Sequence, residues 1–216
     1  MSELSDIWLG SAVVSSDEVG VGTIVSLLVD ADGFTPRALV VKHEESLAGR
    51  VLAAEKFFTT DEVVIPFTAV VSTADGVVHL SMAAQDVRRQ PLYLSYGPPE
   101  PTPEEAIVEE GQLITGGLGL PNVEEVANKP DGQVEIDRGE NVMLGTTGRR
   151  LGRVEDVLLD HGELIGVVIR PEGFFKRDVV LPIRFVNRAD DMALFANLTE
   201  SDIEQLKPLV DGEPAG

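Results

Sequence analysis

Short apolar runs separated by turn signals are the dominant pattern along this chain. Runs such as "GTIVSLLVD" at 22–30 and "GRVEDVLLD" at 152–160 are rich in Val, Leu and Ile. They are bounded by turn-forming stretches such as "ADG" at 31–33 and "DHGE" at 160–163. This spacing predicts antiparallel strands joined by hairpins.

The chain carries this pattern twice. An offset of 130 aligns the two runs above and matches Gly22 with Gly152. Further along, "VVIPF" at 63–67 aligns with "VVLPI" at 179–183 at an offset of 116, so the first copy has fourteen additional residues in its middle. The sequence therefore predicts an internal duplication. The alternative is that two all-β domains share turn chemistry by chance.

The strand number in each half bears on the architecture. Five or six strands in about 80 residues are too few for a broad sandwich, so closure into a small barrel is the expected way to hide strand edges. Helix is predicted only at the end of each copy, and Thr199 with Asp202 frames the start of the second helix. The predicted fold is all-β, with two small antiparallel β-barrels in tandem and short terminal helices.

An acidic segment separates the two halves. Residues 96–135 contain nine acidic residues and one Lys, with abundant Pro and Gly, which is typical of a linker. One interpretation is a strap with short helical turns, and the other is a recognition segment that folds on a basic partner. The expected organisation is a first domain at 1–95, a linker at 96–135 and a second domain at 136–212.

Charge and composition exclude several classes of partner. The formal net charge is −20, from 37 acidic and 17 basic residues. Direct nucleic-acid binding is not expected, because phosphate binding depends on Lys and Arg. The first residues, "MSELSDIWLGSAVV", have no basic region and no long apolar run, so neither a signal peptide nor membrane insertion is predicted. The expected location is cytoplasmic.

Two segments carry a family resemblance. "VGTIVSLLVDADGFTPRALVVKH" with "VVIPFTAV", and "TTGRRLGRVEDVLLDHGELIGVVIR" with "VVLPIRFV", resemble the PRC-barrel domain family. The resemblance extends over about residues 5–93 and 136–210. Family members include the cytoplasmic part of the photosynthetic reaction-centre H subunit and the C-terminal domain of a ribosome maturation factor. The resemblance implies a small β-barrel that docks on proteins and has no catalytic apparatus.

The residues that could carry chemistry are sparse. The chain has no Cys, and His43, His79 and His161 lack any metal-ligand spacing. No GxSxG elbow is present for a nucleophilic Ser. We therefore predict no metal, no cofactor and no enzymatic activity.

The second copy has a basic strip around an apolar pair. In "RPEGFFKRD", two Phe residues at a predicted hairpin tip are flanked by cations and could anchor a partner. The alternative is that one Phe caps the barrel and the cations balance local acids. The predicted protein-binding residues are Arg149, Arg150, Arg153, Phe174, Phe175, Lys176 and Arg177.

These observations predict a non-catalytic adaptor that docks onto a larger protein assembly. By resemblance, that assembly is the cytoplasmic face of a membrane complex, such as a photosynthetic reaction centre, or a ribosome-assembly intermediate. One alternative is a small-molecule or metal-ion sensor with its ligand between the barrels. Another is a structural homodimer formed through an exposed strand edge.

Overall fold

The computed structural model describes residues 7–43, 62–97, 124–127, 129–172, 177–190 and 192–206. Within these ranges the first copy contributes β1 Ala12–Val14, β2 Gly20–Asp30, β3 Pro36–Lys42, β4 Glu62–Pro66, β5 Val70–Ala74, β6 Val77–Leu80 and helix α1 Ala84–Val87. The intervening segment contributes β7 Leu94–Gly97, β8 Glu124–Ala127 and β9 Gln133–Asp137. The second copy contributes β10 Asn141–Leu144, β11 Arg150–Asp160, β12 Glu163–Pro171, β13 Val179–Pro182, β14 Val186–Asp190, β15 Ala193–Ala196 and helix α2 Glu200–Glu204.

The two copies have the same strand order. The first sheet runs β4-β3-β2-β1-β6-β5 and the second runs β13-β12-β11-β10-β15-β14. Each has a parallel pair at the same place, β1 with β6 and β10 with β15. Identical order with an identical parallel pair is what a duplication predicts, and we refer to the copies as repeat one and repeat two.

The prediction of closed antiparallel barrels needs correction. Among the described residues no pairing joins the two ends of either sheet, so both sheets are open, and one pair in each is parallel. The physical reason is that a single hydrophobic core contains side chains of both repeats, for example Leu39 and Leu181, each 0% exposed. Each sheet covers its apolar face with the other repeat rather than by closing on itself. The all-β class and the short terminal helices are as predicted.

Strand β3 is apolar almost throughout because the sheet of repeat one is covered on both faces. Leu39 and Val41 point into the shared core, whereas Ala38 and Val40 belong to a second buried cluster under Tyr93. A strand buried on both faces reads as a continuous hydrophobic run instead of an alternating one. The sequence "PRALVVK" has this character.

Strand β9 pairs with repeat one although it directly precedes repeat two. It adds antiparallel to the second half of β2, with Leu27 opposite Ile136. Its inward side chains, Val134 and Ile136, are 6% and 0% exposed. The strand spans residue 135, the expected end of the linker, so the end of this segment is an integral part of the first sheet.

The segment before repeat one makes the reciprocal contact. Residues "IWLG" at 7–10 match "IDRG" at 136–139, and Gly10 and Gly139 have φ of +102° and +97°, which favours glycine. The Leu9 N–H donates to Asp156 Oδ1 in repeat two at 2.7 Å. Arg138 in turn donates to the Leu9 carbonyl oxygen at 2.8 Å. Each repeat is therefore joined to the other by the turn that precedes it.

Helix α2 begins as the sequence predicts. The Thr199 side chain accepts a hydrogen bond from the Asp202 N–H at 3.2 Å, and the Asp202 carboxylate accepts one from the Thr199 N–H at 2.8 Å. This capping box satisfies donors that a short helix would otherwise leave unpaired. In the part of the chain that the structure describes, neither helix has the length and apolar character that a membrane crossing requires.

Candidate functional site

Three of the predicted arginines of repeat two lie on strand β11 or in the turn that precedes it. The Arg149 carbonyl accepts from the Leu144 N–H at 2.8 Å and so closes the turn between β10 and β11. Arg150 donates to Asn141 Oδ1 at 3.2 Å, and Arg153 lies opposite Asn141 in the β10–β11 register. The strand pairing therefore places Arg150 and Arg153 beside Asn141, with Arg149 in the adjoining turn. Their role in docking stays a prediction.

Strand register adds Arg170 to this group, which sequence reasoning left outside the predicted site. Arg170 on β12 lies opposite Arg153 on β11. It forms ion pairs with Glu155 at 3.0 Å and with Asp178 at 3.1 Å. The hydrogen bond to Asp178 holds the pKa of Arg170 above its usual value. The "DHGE" hairpin turn was the available sequence signal, since counting opposed residue pairs back from it places Arg170 opposite Arg153.

Three predicted residues fall outside the described part of the chain: Phe174, Phe175 and Lys176. The residues on either side of them make ion pairs and hydrogen bonds with β11 and β12. On one side, Glu172 pairs with Arg150, and its N–H donates to the Leu151 carbonyl at 2.9 Å. On the other side, Asp178 pairs with Arg170, and the exposed Arg177 precedes it. The residues on the two sides of positions 173–176 are therefore held by Arg150 of β11 and by Arg170 of β12.

We call this surface the arginine face. Five arginines and three interleaved carboxylates, 5 − 3 = +2, give it a positive balance in a chain whose net charge is −20. Among the described residues, no ion pair or hydrogen bond engages the side chains of Arg153 and Arg177, which are both exposed. The arginine face consists of Arg149, Arg150, Arg153, Arg170 and Arg177 with Glu155, Glu172 and Asp178.

Two other arginines of repeat two, Arg184 and Arg188, are not part of the arginine face. The Arg188 guanidinium sits 3.9 Å from the Phe195 ring centre and 3.5 Å from an Asp190 oxygen. Arg184 stacks over Phe185 at 4.8 Å. Their contacts are local cation–π and ion-pair interactions, which favour a structural role.

A cluster of carboxylates lies where the repeats meet, and the sequence analysis did not identify it. Both oxygens of Glu140 are buried, and neither has a hydrogen-bond partner among the residues that the structure describes. Burial and the neighbouring Asp137 raise the pKa of Glu140 to about 8. Burial and Glu135 also raise the pKa of Asp137. The segment "EIDRGE" carries three acids around a glycine turn. Glu135 is half-buried and Asp137 is exposed, and only tertiary packing buries the carboxyl oxygens of Glu140.

Asp156 is a second partly buried acid at this junction. Burial raises its pKa, although the Leu9 and Val157 N–H groups both donate to it. Because those hydrogen bonds favour the ionised form, they partly offset the cost of burial. Asp156 thus serves to hold the segment before repeat one against repeat two.

An open groove lies between the repeats. Its volume is about 400 Å³. It is lined from repeat one by Ala31, Asp32, Gly33 and Phe34, and from repeat two by Ile183, Arg184, Val186 and Asn187. Within the described ranges no group of three or more His, Asp or Glu residues is arranged to hold a metal ion.

The geometry defines an all-β protein built from two copies of one six-stranded unit that share a core. A family model for the PRC-barrel domain matches residues 3–85 and 138–201. The chain belongs to the PRC-barrel domain family, in two tandem copies, and the predicted resemblance is confirmed. PRC-barrel domains are protein-interaction modules and are generally non-catalytic. No curated protein matches the chain by sequence.

Proposed function

We propose that this protein is a non-catalytic adaptor that docks onto a larger protein assembly through the arginine face. The observation that supports this most directly is a net-positive surface in a strongly acidic chain, with two exposed arginines, Arg153 and Arg177, that have no partner within the described part of the chain. Membership of a family of interaction modules supports the same function. Phe174, Phe175 and Lys176 would add an apolar anchor beside these cations.

The chemistry of the arginine face favours an acidic protein partner. Arginine presents a planar fork of donors that fits a carboxylate with two hydrogen bonds. Carboxylates such as Glu155 and Asp178 hold the intervening Arg170 in place, so part of the surface is organised before binding. Candidate assemblies are a membrane complex approached from the cytoplasm, such as a photosynthetic reaction centre, or a ribosome-assembly intermediate contacted through a protein component.

Replacing Arg153 and Arg177 together by serine is expected to weaken capture of the partner at least tenfold. The fold should be unaffected, because exposed charges contribute only about 0–1 kcal/mol to stability. The matched control replaces two exposed arginines of repeat one, Arg88 and Arg89, by serine, which makes the same change in net charge. The measurement is a crosslinking pull-down from the native host with all three proteins, followed by affinity measurement on the captured complex.

Each outcome of this experiment is informative. Loss of capture with the Arg153 and Arg177 variant alone supports both the adaptor and its surface. Equal loss with both variants indicates nonspecific charge attraction and argues against the arginine face. If the unmodified protein captures no defined complex, the adaptor function itself is contradicted.

The groove between the repeats favours a second candidate, a small-molecule sensor. It presents an apolar side chain, Phe34, beside groups of opposite charge, Asp32 and Arg184. A ligand that binds only the native state must raise its stability, so a concentration-dependent rise in melting temperature would support this candidate.

The open sheet edges also support the alternative of a structural homodimer, because an exposed strand edge can pair with a second copy of the chain. A mass measurement in solution tests this alternative.

A further inference from the structure

The turn from Asp137 to Glu140 connects the two sheets and contacts both. On one side it continues β9, which is hydrogen-bonded to β2 of repeat one. On the other side the Gly139 N–H donates to the Val154 carbonyl at 2.8 Å, and the Val154 N–H donates to the Glu140 carbonyl at 2.9 Å. A change in the conformation of this turn therefore alters contacts to both sheets at the junction between the repeats.

Within the described ranges, the charged groups that act on the Glu140 carboxyl are all acidic. Asp137 and Glu135 approach from β9, and Asp190 approaches from the end of β14. The Asp137 N–H lies near enough to offset part of this repulsion, although it makes no hydrogen bond of normal geometry to the carboxyl. An ionised carboxylate in such surroundings is strongly disfavoured, whereas a protonated one is neutral.

The nearby cations are engaged by other groups. Arg138 donates to the carbonyl oxygens of Leu9 and Glu155, at 2.8 Å and 2.9 Å. Arg188 pairs with Asp190, and Arg150 pairs with Glu172. Tyr93 donates to Glu135, so that acid also has its own partner. Glu140 is thus an acid with buried carboxyl oxygens that no cation of the described residues pairs with.

The equivalent turn of repeat one forms without a titratable side chain at the position that Glu140 occupies in repeat two. Ser11 occupies the position of Glu140, as the matching glycines Gly10 and Gly139 show. It is 6% exposed, and its hydroxyl oxygen accepts from the Trp8 N–H at 3.0 Å. A small neutral residue is sufficient to build this turn, so the glutamate in repeat two adds a property that the fold does not require.

We propose that the junction between the repeats is a proton-operated latch, in which Glu140 keeps a proton while the turn is closed and loss of that proton loosens the turn from β11 and β14. Closure buries the carboxyl in its neutral form. Ionisation places an unpaired negative charge among Glu135, Asp137 and Asp190, and opening the turn to water relieves it. The latch would let pH tune the relative freedom of the two repeats.

The sign of the pH dependence follows from the raised pKa of Glu140, from its ordinary 4.5 to about 8. The closed state binds the proton more tightly than the open state, so closure is favoured at low pH and weakens as pH rises from about 4.5 to 8. Above pH 8 the dependence ends because both states are ionised. Asp137, with its raised pKa, acts in the same direction. The acids with lowered pKa, such as Asp30, act in the opposite direction and below this window.

The test compares the unmodified protein with Glu140→Gln and with the control Glu163→Gln, which makes the same change at an exposed hairpin position. Hydrogen exchange of the Gly139 and Val154 amides is measured from pH 5.5 to 8 and corrected for the intrinsic exchange rate. One linked proton changes the opening equilibrium by up to tenfold per pH unit, so the unmodified protein should open on the order of a hundredfold more at pH 8. Glu163→Gln should match it, and Glu140→Gln should change less than tenfold.

Any of three results would overturn the latch. Parallel pH profiles for the unmodified protein and Glu140→Gln would show that this carboxyl is not the linked group. An equal loss of protection at Leu39, deep in repeat one, would show that pH acts on global stability rather than on the junction. If Glu140→Gln does not fold, Glu140→Ser, which copies the Ser11 arrangement, serves as the neutral variant. Carbon-13 titration of the Glu140 carboxyl gives an independent reading, and a midpoint near 4.5 would also contradict the proposal.

Discussion

Gly152→Ala is expected to destabilise the protein by about 3 kcal/mol, near the upper end of the usual cost of overpacking. A methyl group at this position would lie 2.2 Å from the Arg170 carbonyl oxygen and 2.9 Å from the Pro171 Cα. Both atoms belong to the backbone of the neighbouring strand, which cannot move without breaking the β11–β12 ladder. Urea unfolding monitored by circular dichroism measures the loss.

The other repeat offers an equivalent site and a control. At Gly22 a methyl group would lie 2.1 Å from the Lys42 carbonyl oxygen, and φ is +148°, so Gly22→Ala should cost at least as much. Gly20, two residues earlier on the same strand, has nothing within 4 Å of an added methyl group. Gly20→Ala should stay within about 0.5 kcal/mol of the unmodified protein. A loss of only about 0.5 kcal/mol for Gly152→Ala would contradict the close approach of β11 and β12 at this residue.

Ile136→Ala is expected to cost about 2–5 kcal/mol and to lower the stability of both repeats in one transition. Its side chain is 0% exposed and belongs to the core that both repeats share. Its strand, β9, is an added strand of the first sheet but runs directly into repeat two. The cavity left by the substitution therefore weakens packing on both sides of the junction. Calorimetry and chemical denaturation with probes in each repeat make the measurement.

The control for this substitution is Ile165→Ala, since Ile165 lies on β12 with 38% of its surface exposed. It should cost less than about 1 kcal/mol, because little apolar contact is lost. Two separate transitions in the Ile136→Ala variant, with one repeat unaffected, would show that the repeats do not share a core. A loss as small as that of the control would show that β9 is not required for packing.

The features that local patterns control were predictable. The two runs of apolar residues with matched glycines predicted the duplication. Among the described glycines, Gly22 and Gly152 are those at which an added methyl group would come nearest to the neighbouring strand. The start of helix α2 followed from Thr199 and Asp202. Three of the predicted arginines, Arg149, Arg150 and Arg153, are close in sequence, and strand β11 carries two of them. Such features depend on turn chemistry and side-chain alternation over a few residues.

The features that long-range contacts control were not predictable. Arg170 joined the arginine face through strand register, seventeen positions away from Arg153. The sequence analysis did not identify Glu140, because nothing in the segment "EIDRGE" shows that both its oxygens are buried. The open sheets differ from the expected barrels because a lone repeat was assumed to hide its own edges and apolar face.

The sequence by itself determined the strand class, the twofold repetition, the acidic charge and the family, since each is written in local patterns that recur along the chain. Only the tertiary structure decided that the repeats share one core, that β9 completes the sheet of the preceding repeat, and that Glu140 is buried between them. The physical reason is that burial is a property of whole surfaces. Which apolar face covers which, and which acids lose their water, depends on how both repeats pack together.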